Sequence, residues 1–172
     1  SVKGQNDFVD TVIYTHYGPI VYDRNFKMKG KPVNFALKWT AHGDSNEQKT
    51  FIHLNKAKGY PDFEEALSHY AAPAQNFVFA SRNGDIGIKV QGKFPLKWRG
   101  QGKYLMDGSK PIYEWQGYIP GEHNAEEINP EKHFVTSANQ HPVSDNYPYF
   151  VYNNNFEYFR NRRISDQLLQ QT

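Results

Sequence analysis

The chain of 172 residues contains no cysteine. Disulfide bonds, thiolate zinc sites and a cysteine nucleophile are therefore all excluded. A strong excess of positive or negative charge is also missing, because 20 Lys and Arg oppose 18 Asp and Glu. Basic residues are not clustered either, since the longest basic run is the pair Arg162–Arg163. Nucleic-acid-binding proteins usually concentrate basic charge, so nucleic acid is not expected as a partner. The longest purely apolar runs are about four residues, such as 77–80, and predict no membrane-spanning segment.

Aliphatic side chains are scarce as well. The hydrophobic share of 38% includes 12 Tyr, and aromatic residues alone make up 16% of the chain. Phe and Tyr therefore supply bulk that aliphatic side chains would ordinarily supply. The length fits one domain. So polar a chain with so few aliphatic residues indicates that some of its apolar contacts are made outside it.

Two strands are predicted in the first forty residues. Residues 11–17 are β-branched and aromatic, and this predicts a strand that Gly18-Pro19 stops and 20–22 resumes. A polar loop is predicted over 23–31. Residues 33–39 alternate between polar and apolar side chains, which predicts a second strand. Its apolar face consists of Val33, Phe35, Leu37 and Trp39.

The clearest helix is predicted to begin at Gly59-Tyr-Pro61 and to end at Pro73. Proline suits the first helical position, and acidic residues follow it in the first turn. One apolar stripe runs along this helix. It comprises Phe63, Ala66, Leu67, Tyr70 and Ala71.

A hairpin is predicted from Phe77–Ala80 and Ile86–Val90, with Asn83-Gly84 in a two-residue type I′ turn. Residues 92–130 are rich in glycine, which indicates a functional or interface-forming surface. A final strand is expected at Phe134–Thr136. A last helix is expected from about Asn155 onward, and its predicted buried side consists of Phe156, Phe159, Ile164 and Leu168.

Few residues carry a recognisable catalytic pattern. No HExxH pair, nucleophile elbow or phosphate-binding loop is present, and the seven histidines are scattered without metal-site spacing. Glu122, Glu126 and Glu127 could serve a glycosidase, but nothing in their spacing sets the separation of a catalytic pair, and solvated glutamates are the alternative. On a helical wheel Arg160 falls within the apolar stripe of the last helix. An inward guanidinium needs a partner, which is either an active-site group or ordinary backbone carbonyls and a structural carboxylate.

Several short segments together resemble the β-chain of the penicillin acylase (penicillin amidase) family of N-terminal-nucleophile hydrolases. Each is weak alone, but their order and spacing extend over nearly the whole chain. They include His16–Pro19, Ala36–Thr40, Asn76–Gly87, Trp115–Pro120, Thr136–Asn139 and Arg160 followed by Ile164.

This resemblance implies an α+β fold, namely part of the four-layer αββα architecture in which helices cover antiparallel sheets. Residues 1–172 would form a single fragment of the β-chain domain, with edge strands and apolar surface exposed. The implied parent enzyme is a periplasmic or extracellular amidohydrolase that cleaves linear amides, such as the side chain of a penicillin or an N-acyl homoserine lactone.

Members of this family expose a serine nucleophile at the N-terminus of the β-chain. Ser1 is not expected to be that nucleophile, because the residues after it resemble a segment well inside the family's β-chain. The nucleophile is therefore expected upstream. The α-chain and the rest of the β-chain would be partners alongside the small amide substrate, and the isolated fragment is predicted to be inactive.

The resemblance assigns roles to four residues. Asn139 matches the asparagine whose amide donates to the oxyanion, although a plain turn asparagine is the alternative, and Arg160 matches the active-site arginine. Phe51 and Gln75 match positions that line the acyl pocket, with ordinary packing as the alternative for each. His133 stands where the family usually has glycine.

No cofactor is expected for the chemistry, and the residues predict no metal site in this chain. The resemblance allows a structural calcium ion in the parent enzyme, with Asp145 as the nearest candidate ligand. The rival function is a non-catalytic module that binds carbohydrate or peptide through exposed aromatic side chains. These would be Trp98, Tyr104, Trp115 and Tyr118.

Overall fold

The structure is a computed structural model, and it describes residues 2–22, 34–151 and 157–171. It contains two three-stranded antiparallel sheets, ordered β1-β2-β3 and β4-β5-β6. The combination of antiparallel sheets and helices is the α+β class that the resemblance implies. No helix in the described residues is long and apolar enough to cross a membrane. The elements are β1 (Tyr14–Thr15), β2 (Gly18–Tyr22), β3 (Phe35–Ala36), α1 (Glu47–Leu54), α2 (Tyr60–Leu67), β4 (Gln75–Ala80), β5 (Ile86–Gln91), β6 (Glu126–Ile128) and α3 (Phe159–Leu168).

The core lies between α2 and the sheet β4–β6. We call this helix and this sheet together the α2–sheet unit. All five residues of the predicted apolar stripe are buried, since Ala66 and Leu67 are completely buried and the other three are at most 7% exposed, although Tyr70 and Ala71 follow the end of the helix. Aromatic rings from β4 complete this core: Phe79 lies 5.2 Å from Phe63 and Phe77 lies 4.9 Å from Tyr70, between ring centres. The helix ends at Leu67, earlier than Pro73 suggests.

The predicted hairpin is confirmed, with six residue pairs in register from Gln75 opposite Gln91 to Ala80 opposite Ile86. The predicted type I′ turn is wrong. The amide of Gly84 donates to the carbonyl of Ser81 at 3.2 Å, and of the two central residues only Gly84 has a positive φ, of 94°. This is a longer loop with one left-handed glycine, a common alternative when the connection exceeds two residues.

The sheet β1–β3, which we call the N-terminal sheet, is smaller than predicted. Strands β1 and β3 have two residues each, and Val33 lies outside the described residues. Gly18-Pro19 does not stop a strand but begins β2, because Gly18 adopts a φ of 121° and carries the chain out of the turn that follows Thr15. The predicted polar loop over 23–31 also lies outside the described residues.

Helix α1 has no counterpart among the predicted elements. It begins after Asn46, whose side chain accepts a hydrogen bond from the amide of Lys49, as an N-terminal cap does. Only Thr50 of this helix is buried. A helix with so small a buried face leaves little periodicity to detect.

Of two predictions near the C-terminal end, the strand at Phe134–Thr136 is wrong and the last helix is only partly right. Residues 134–136 form no strand, and α3 begins at Phe159 rather than near Asn155. Phe159 is 72% and Ile164 41% exposed, so neither forms the predicted buried side, while Leu168 is partly buried. The reason is that α3 contacts the preceding loop through polar side chains rather than through a core. Phe156 lies outside the described residues.

Candidate functional site

The segment 136–140 forms a tight loop closed by one glutamine. The side chain of Gln140 donates to the carbonyl of Thr136 at 2.9 Å and accepts from the amide of Ala138 at 2.7 Å. Between these bonds Asn139 adopts a φ of 63°, a conformation that asparagine tolerates better than most residues. Ala138 is buried and the Asn139 side chain is exposed, so the loop presents the Asn139 amide to solvent.

Arg160 reaches this loop from the first turn of α3. Its guanidinium donates to the side-chain oxygen of Asn139 and, at 3.4 Å, to the carbonyl of Ala138. The expected meeting of residues 139 and 160 is therefore present. Contrary to the helical-wheel prediction, the Arg160 side chain does not point into the core, because it is exposed and its partners lie on the loop.

Two asparagines hold the same loop from opposite sides. Asn161, next to Arg160, donates to the hydroxyl of Thr136 at 3.0 Å, and Asn76 on β4 donates to the hydroxyl of Ser137 at 2.6 Å. Sequence reasoning missed both residues as parts of the site. Nothing in a single sequence distinguishes them from surface asparagines, although both lie inside segments that carry the family resemblance.

The loop forms one wall of an open groove of about 580 Å³. The floor is the face of the sheet opposite α2 and contributes Ile88 and Val90, and Gln75 and Asn139 also line the groove. Phe51 does not line it. That side chain is half-exposed on α1, where its ring lies 6.2 Å from the ring of Tyr70.

Of the candidate glycosidase carboxylates, Glu126 and Glu127 line this groove, but each is held in an ion pair. Glu126 pairs at 2.9 Å with the buried ammonium of Lys89, which also pairs with Glu64 at 2.7 Å. Burial by itself lowers the pKa of Lys89, but hydrogen bonds and charges from both glutamates outweigh it, and the pKa is raised. Glu127 pairs with Lys132 at 2.8 Å. The geometry therefore indicates a structural ion cluster rather than a catalytic pair.

Two aromatic side chains of the rival binding module, Trp115 and Tyr118, are in contact, with ring centres 6.2 Å apart, but their planes cross at 69°. Tyr104 and Trp115 line a second groove, whereas Tyr118 lines a third, beside Lys93. Trp98 packs against Tyr113 with ring centres 6.3 Å apart. A carbohydrate platform needs its rings aligned along one ligand, and this arrangement does not provide that.

Two further expectations concern the loops. His133 has a φ of 58°, which favours glycine and gives a physical reason for the glycine that the family usually has there. Asp145 is exposed. No group of three or more His, Asp or Glu side chains that could hold a metal ion is found within the described ranges, and the calcium ion stays a prediction from the resemblance.

Comparison with known proteins gives one consistent result. A family model described as penicillin amidase matches residues 1–172. An acyl-homoserine lactone acylase, QuiP, of Pseudomonas fluorescens is 28% identical over 85% of this chain and 18% of its own length. The penicillin acylase 2 proenzyme of a Pseudomonas species is 24% identical over 98% of this chain and 21% of its own length. The chain thus spans about a fifth of each of these relatives.

A solved structure of a thermostable penicillin G acylase from Alcaligenes faecalis is similar over the full length of this chain. The TM-score is 0.72 at 21% sequence identity, and the match covers 30% of that enzyme's chain. A likeness at this identity establishes the α+β fold. The roles of Asn139, Arg160, Phe51 and Gln75 stay predictions from the resemblance.

Proposed function

The chain belongs to the penicillin amidase family, and we propose that it supplies Asn139 and Arg160 to the active site of an N-terminal-nucleophile amidohydrolase. The contact between these two side chains carries the proposal. Because the Asn139 oxygen accepts from Arg160, its amide nitrogen is left as a donor, and it has no acceptor among the described residues. A neutral donor held at the edge of a groove is what an oxyanion requires.

In the proposed reaction, a serine outside residues 1–172 attacks the carbonyl carbon of a linear amide, and its hydroxyl proton passes through water to its own α-amino group. Negative charge then develops on the carbonyl oxygen, and the Asn139 amide nitrogen donates a hydrogen bond to it. One such donor contributes about 3–4 kcal/mol to lowering the barrier. Arg160 fixes the orientation of the Asn139 amide and adds positive potential beside the developing charge. Collapse of the tetrahedral intermediate then breaks the C–N bond, the amine leaves with the proton held by the α-amino group, and water later hydrolyses the acyl-serine.

The groove supports an apolar acyl group in the substrate. Ile88 and Val90 form an apolar floor next to Asn139, while Gln75, Glu126 and Glu127 add polar groups to the lining. This fits the acyl chain of a homoserine lactone or the side chain of a penicillin, the substrates named for relatives. Phe51 lies outside the groove, so its proposed place in the acyl pocket depends on parts of the protein beyond residues 1–172.

The active enzyme in this proposal is a longer, processed protein. One relative is named a proenzyme, which supports a precursor cut into an α-chain and a β-chain. The parent protein would act in the periplasm or outside the cell, without a cofactor for the chemistry, and any structural calcium ion would be bound with ligands from other segments. Residues 1–172 alone would not turn over substrate.

The test uses two variants of the parent protein, Asn139→Gly and Asn139→Asp. Glycine accepts the positive φ at this position, so it removes the amide without straining the loop, whereas aspartate keeps the shape and replaces the donor with a repelling charge. We expect kcat for a chromogenic phenylacetyl amide and for an acyl homoserine lactone to fall by about 10²–10³ in Asn139→Gly, and further in Asn139→Asp, with KM little changed.

The matched control is Asn83→Ala, because Asn83 is an exposed asparagine at the hairpin tip. It should leave kcat unchanged. Wild-type kcat in Asn139→Gly would refute the oxyanion role and favour a binding module. Turnover by residues 1–172 alone, abolished by Ser1→Ala, would instead show that the nucleophile lies within this chain.

A further inference from the structure

The side-chain amide of Gln140 closes the loop 136–140 through two hydrogen bonds, which we call the glutamine clasp. Its nitrogen donates to the carbonyl of Thr136 at 2.9 Å, and its oxygen accepts from the amide of Ala138 at 2.7 Å. Gln140 is only partly exposed, so water weakens these bonds less than it would on the open surface. A glutamine amide carries a donor and an acceptor at one end, whereas an ionised glutamate only accepts and methionine cannot donate.

The clasp surrounds a residue in the left-handed conformation. Asn139 has a φ of 63°, which is uncommon for a residue other than glycine. Such a conformation persists where the contacts around it impose it. Gln140 directly follows Asn139 and bonds back to residues 136 and 138, so it is the side chain placed to impose the positive φ.

The direction of the Asn139 side chain depends on this φ. A return to the ordinary helical φ would rotate the backbone at Asn139 by about 120°. The side-chain amide would then leave the position in which Arg160 donates to its oxygen, and it would no longer lie in the lining of the groove. Arg160 therefore orients the amide only while the backbone of the loop holds its shape.

Helix α3 holds the same two loop residues through other atoms. Asn161 donates to the hydroxyl of Thr136 at 3.0 Å, and Arg160 donates to the carbonyl of Ala138 at 3.4 Å. Within the described residues, α3 buries none of its own side chains, so it offers the loop little rigid support. The clasp of Gln140 is internal to the loop and does not depend on α3.

We propose that Gln140 is a positioning residue for the amide hydrolysis, which keeps the Asn139 amide nitrogen aimed at the developing oxyanion by holding the Asn139 backbone at a positive φ. The inference rests on the proposed function of Asn139 and extends it to a residue to which the family resemblance gives no role. Gln140 fixes the backbone, and Arg160 fixes the rotation of the side-chain amide. Because a donor stabilises an oxyanion only when it is held in place beforehand, a small displacement lowers the rate.

A direct contact with the substrate is the alternative role, because Gln140 also lines the groove. The two roles differ in their kinetics. A residue that contacts the substrate equally in the ground state and the transition state changes KM, whereas one that positions a transition-state donor changes kcat. The bonds from the Gln140 amide to Thr136 and Ala138 favour positioning.

The experiment measures kcat and KM of the parent protein for a chromogenic phenylacetyl amide. Gln140→Met keeps the length of the side chain and removes the clasp, and we expect kcat to fall about tenfold with KM changed by less than about twofold. Gln140→Asn has an amide one methylene too short to reach both partners. It should lower kcat in the same way, and it keeps a polar side chain in the loop in case Gln140→Met folds poorly.

The decisive comparison repeats each substitution in the Asn139→Gly variant. Glycine has no amide to position, so we expect the substitution at Gln140 to lower kcat there by less than about twofold. A purely structural role would cost the same factor with and without Asn139. Gln116→Met is the matched control, because Gln116 also donates to a backbone carbonyl of its own loop, that of Glu114 at 3.1 Å, and lies away from Asn139. It should leave kcat unchanged.

Three results would overturn the positioning role. They are wild-type kcat in both Gln140 variants, a raised KM with unchanged kcat, and an equal loss of kcat in the presence and in the absence of Asn139. If Asn139→Gly loses activity while the Gln140 variants do not, the positioning role fails and the proposed function stands. Wild-type kcat in Asn139→Gly would refute the proposed function itself, whatever the Gln140 variants do.

Discussion

The α2–sheet unit and the N-terminal sheet are both three-stranded and antiparallel, but they differ in how much of their apolar surface the chain itself buries. In the α2–sheet unit, α2 covers one face of the sheet and buries Phe63, Ala66 and Leu67. In the N-terminal sheet, two of three strands have only two residues. Apolar side chains that precede it stay in water, with Phe8 and Val9 each 88% exposed.

The difference shows where the chain supplies its own packing partner. A sheet with a covered face is held by burial of apolar area, at roughly 25 cal/mol per Å². A small sheet without a cover has little beyond its hydrogen bonds, which contribute about 1 kcal/mol each. Within the described residues, the N-terminal sheet lacks the helical cover that α2 gives the sheet β4–β6.

The largest effect is expected from removing the two counter-charges of Lys89 inside the α2–sheet unit. The double substitution Glu64→Gln and Glu126→Gln leaves a 4% exposed ammonium without a carboxylate. We expect unfolding free energy to fall near the lower end of ~3–5 kcal/mol, because the glutamates themselves are partly exposed. Urea denaturation measures this loss.

Glu127→Gln is the matched control, since Glu127 sits on the same strand and pairs with Lys132, which is 37% exposed. It should cost at most about 1 kcal/mol. If the double variant cost no more than this control, the cluster would not be a source of stability for the α2–sheet unit.

A second prediction compares the two regions through their glycines. A Cβ on Gly92 would lie 2.7 Å from the Cβ of Ala74, beside the α2–sheet unit, so Gly92→Ala should lower the global unfolding free energy by about 1–3 kcal/mol. A Cβ on Gly18 would lie 2.2 Å from the carbonyl oxygen of Leu37, between β2 and β3. Gly18→Ala should instead separate these strands locally.

Amide hydrogen exchange distinguishes the two outcomes, because local opening exposes only the N-terminal sheet. Gly121→Ala is the control, since a Cβ there meets nothing within 4 Å. If Gly18→Ala reduced protection throughout the α2–sheet unit, the two regions would unfold together and the contrast drawn above would be wrong.

The same contrast explains how far the sequence alone could predict the structure. The helix at Phe63 and the hairpin at Phe77 were predictable because their apolar periodicity reflects a face that this chain itself buries. Phe159 and Ile164 follow an equally good pattern, yet no partner within the described residues covers them. The contact of Asn139 with Arg160 came from the family resemblance, whereas Asn76 and Asn161 carry no periodicity and needed coordinates.

A smaller effect is expected at alkaline pH, again in the α2–sheet unit. Burial, then the charge and hydrogen bond of Glu126, raises the pKa of Tyr60, and the pKa of Lys89 is raised as well. The unfolded chain then releases these protons first as pH rises. The stabilisation that comes from the raised pKa values of Tyr60 and Lys89 is therefore fully present below the ordinary pKa of each group. It is lost as pH rises through the raised pKa of the folded protein.

Melting temperatures measured from pH 7 to about pH 11 should show this decline. Tyr60→Phe should make the alkaline decline shallower, because it removes one of the two groups, whereas Tyr104→Phe on the exposed glycine-rich loop should not alter it. A decline of equal steepness in all three proteins would assign the alkaline loss to groups outside the cluster.

The smallest effect distinguishes the observed hairpin loop from the type I′ turn that the sequence favours. In a type I′ turn both Asn83 and Gly84 need a positive φ, so alanine would cost about 1 kcal/mol at either position. In the structure only Gly84 has one, of 94°. We therefore expect Gly84→Ala to lower the unfolding free energy by about 1 kcal/mol and Asn83→Ala to lower it by less than about 0.5 kcal/mol. Equal losses in urea denaturation would mean that the hairpin closes through the tighter turn. The local sequence would then outweigh the hydrogen bonds that the loop amides donate to Ser81.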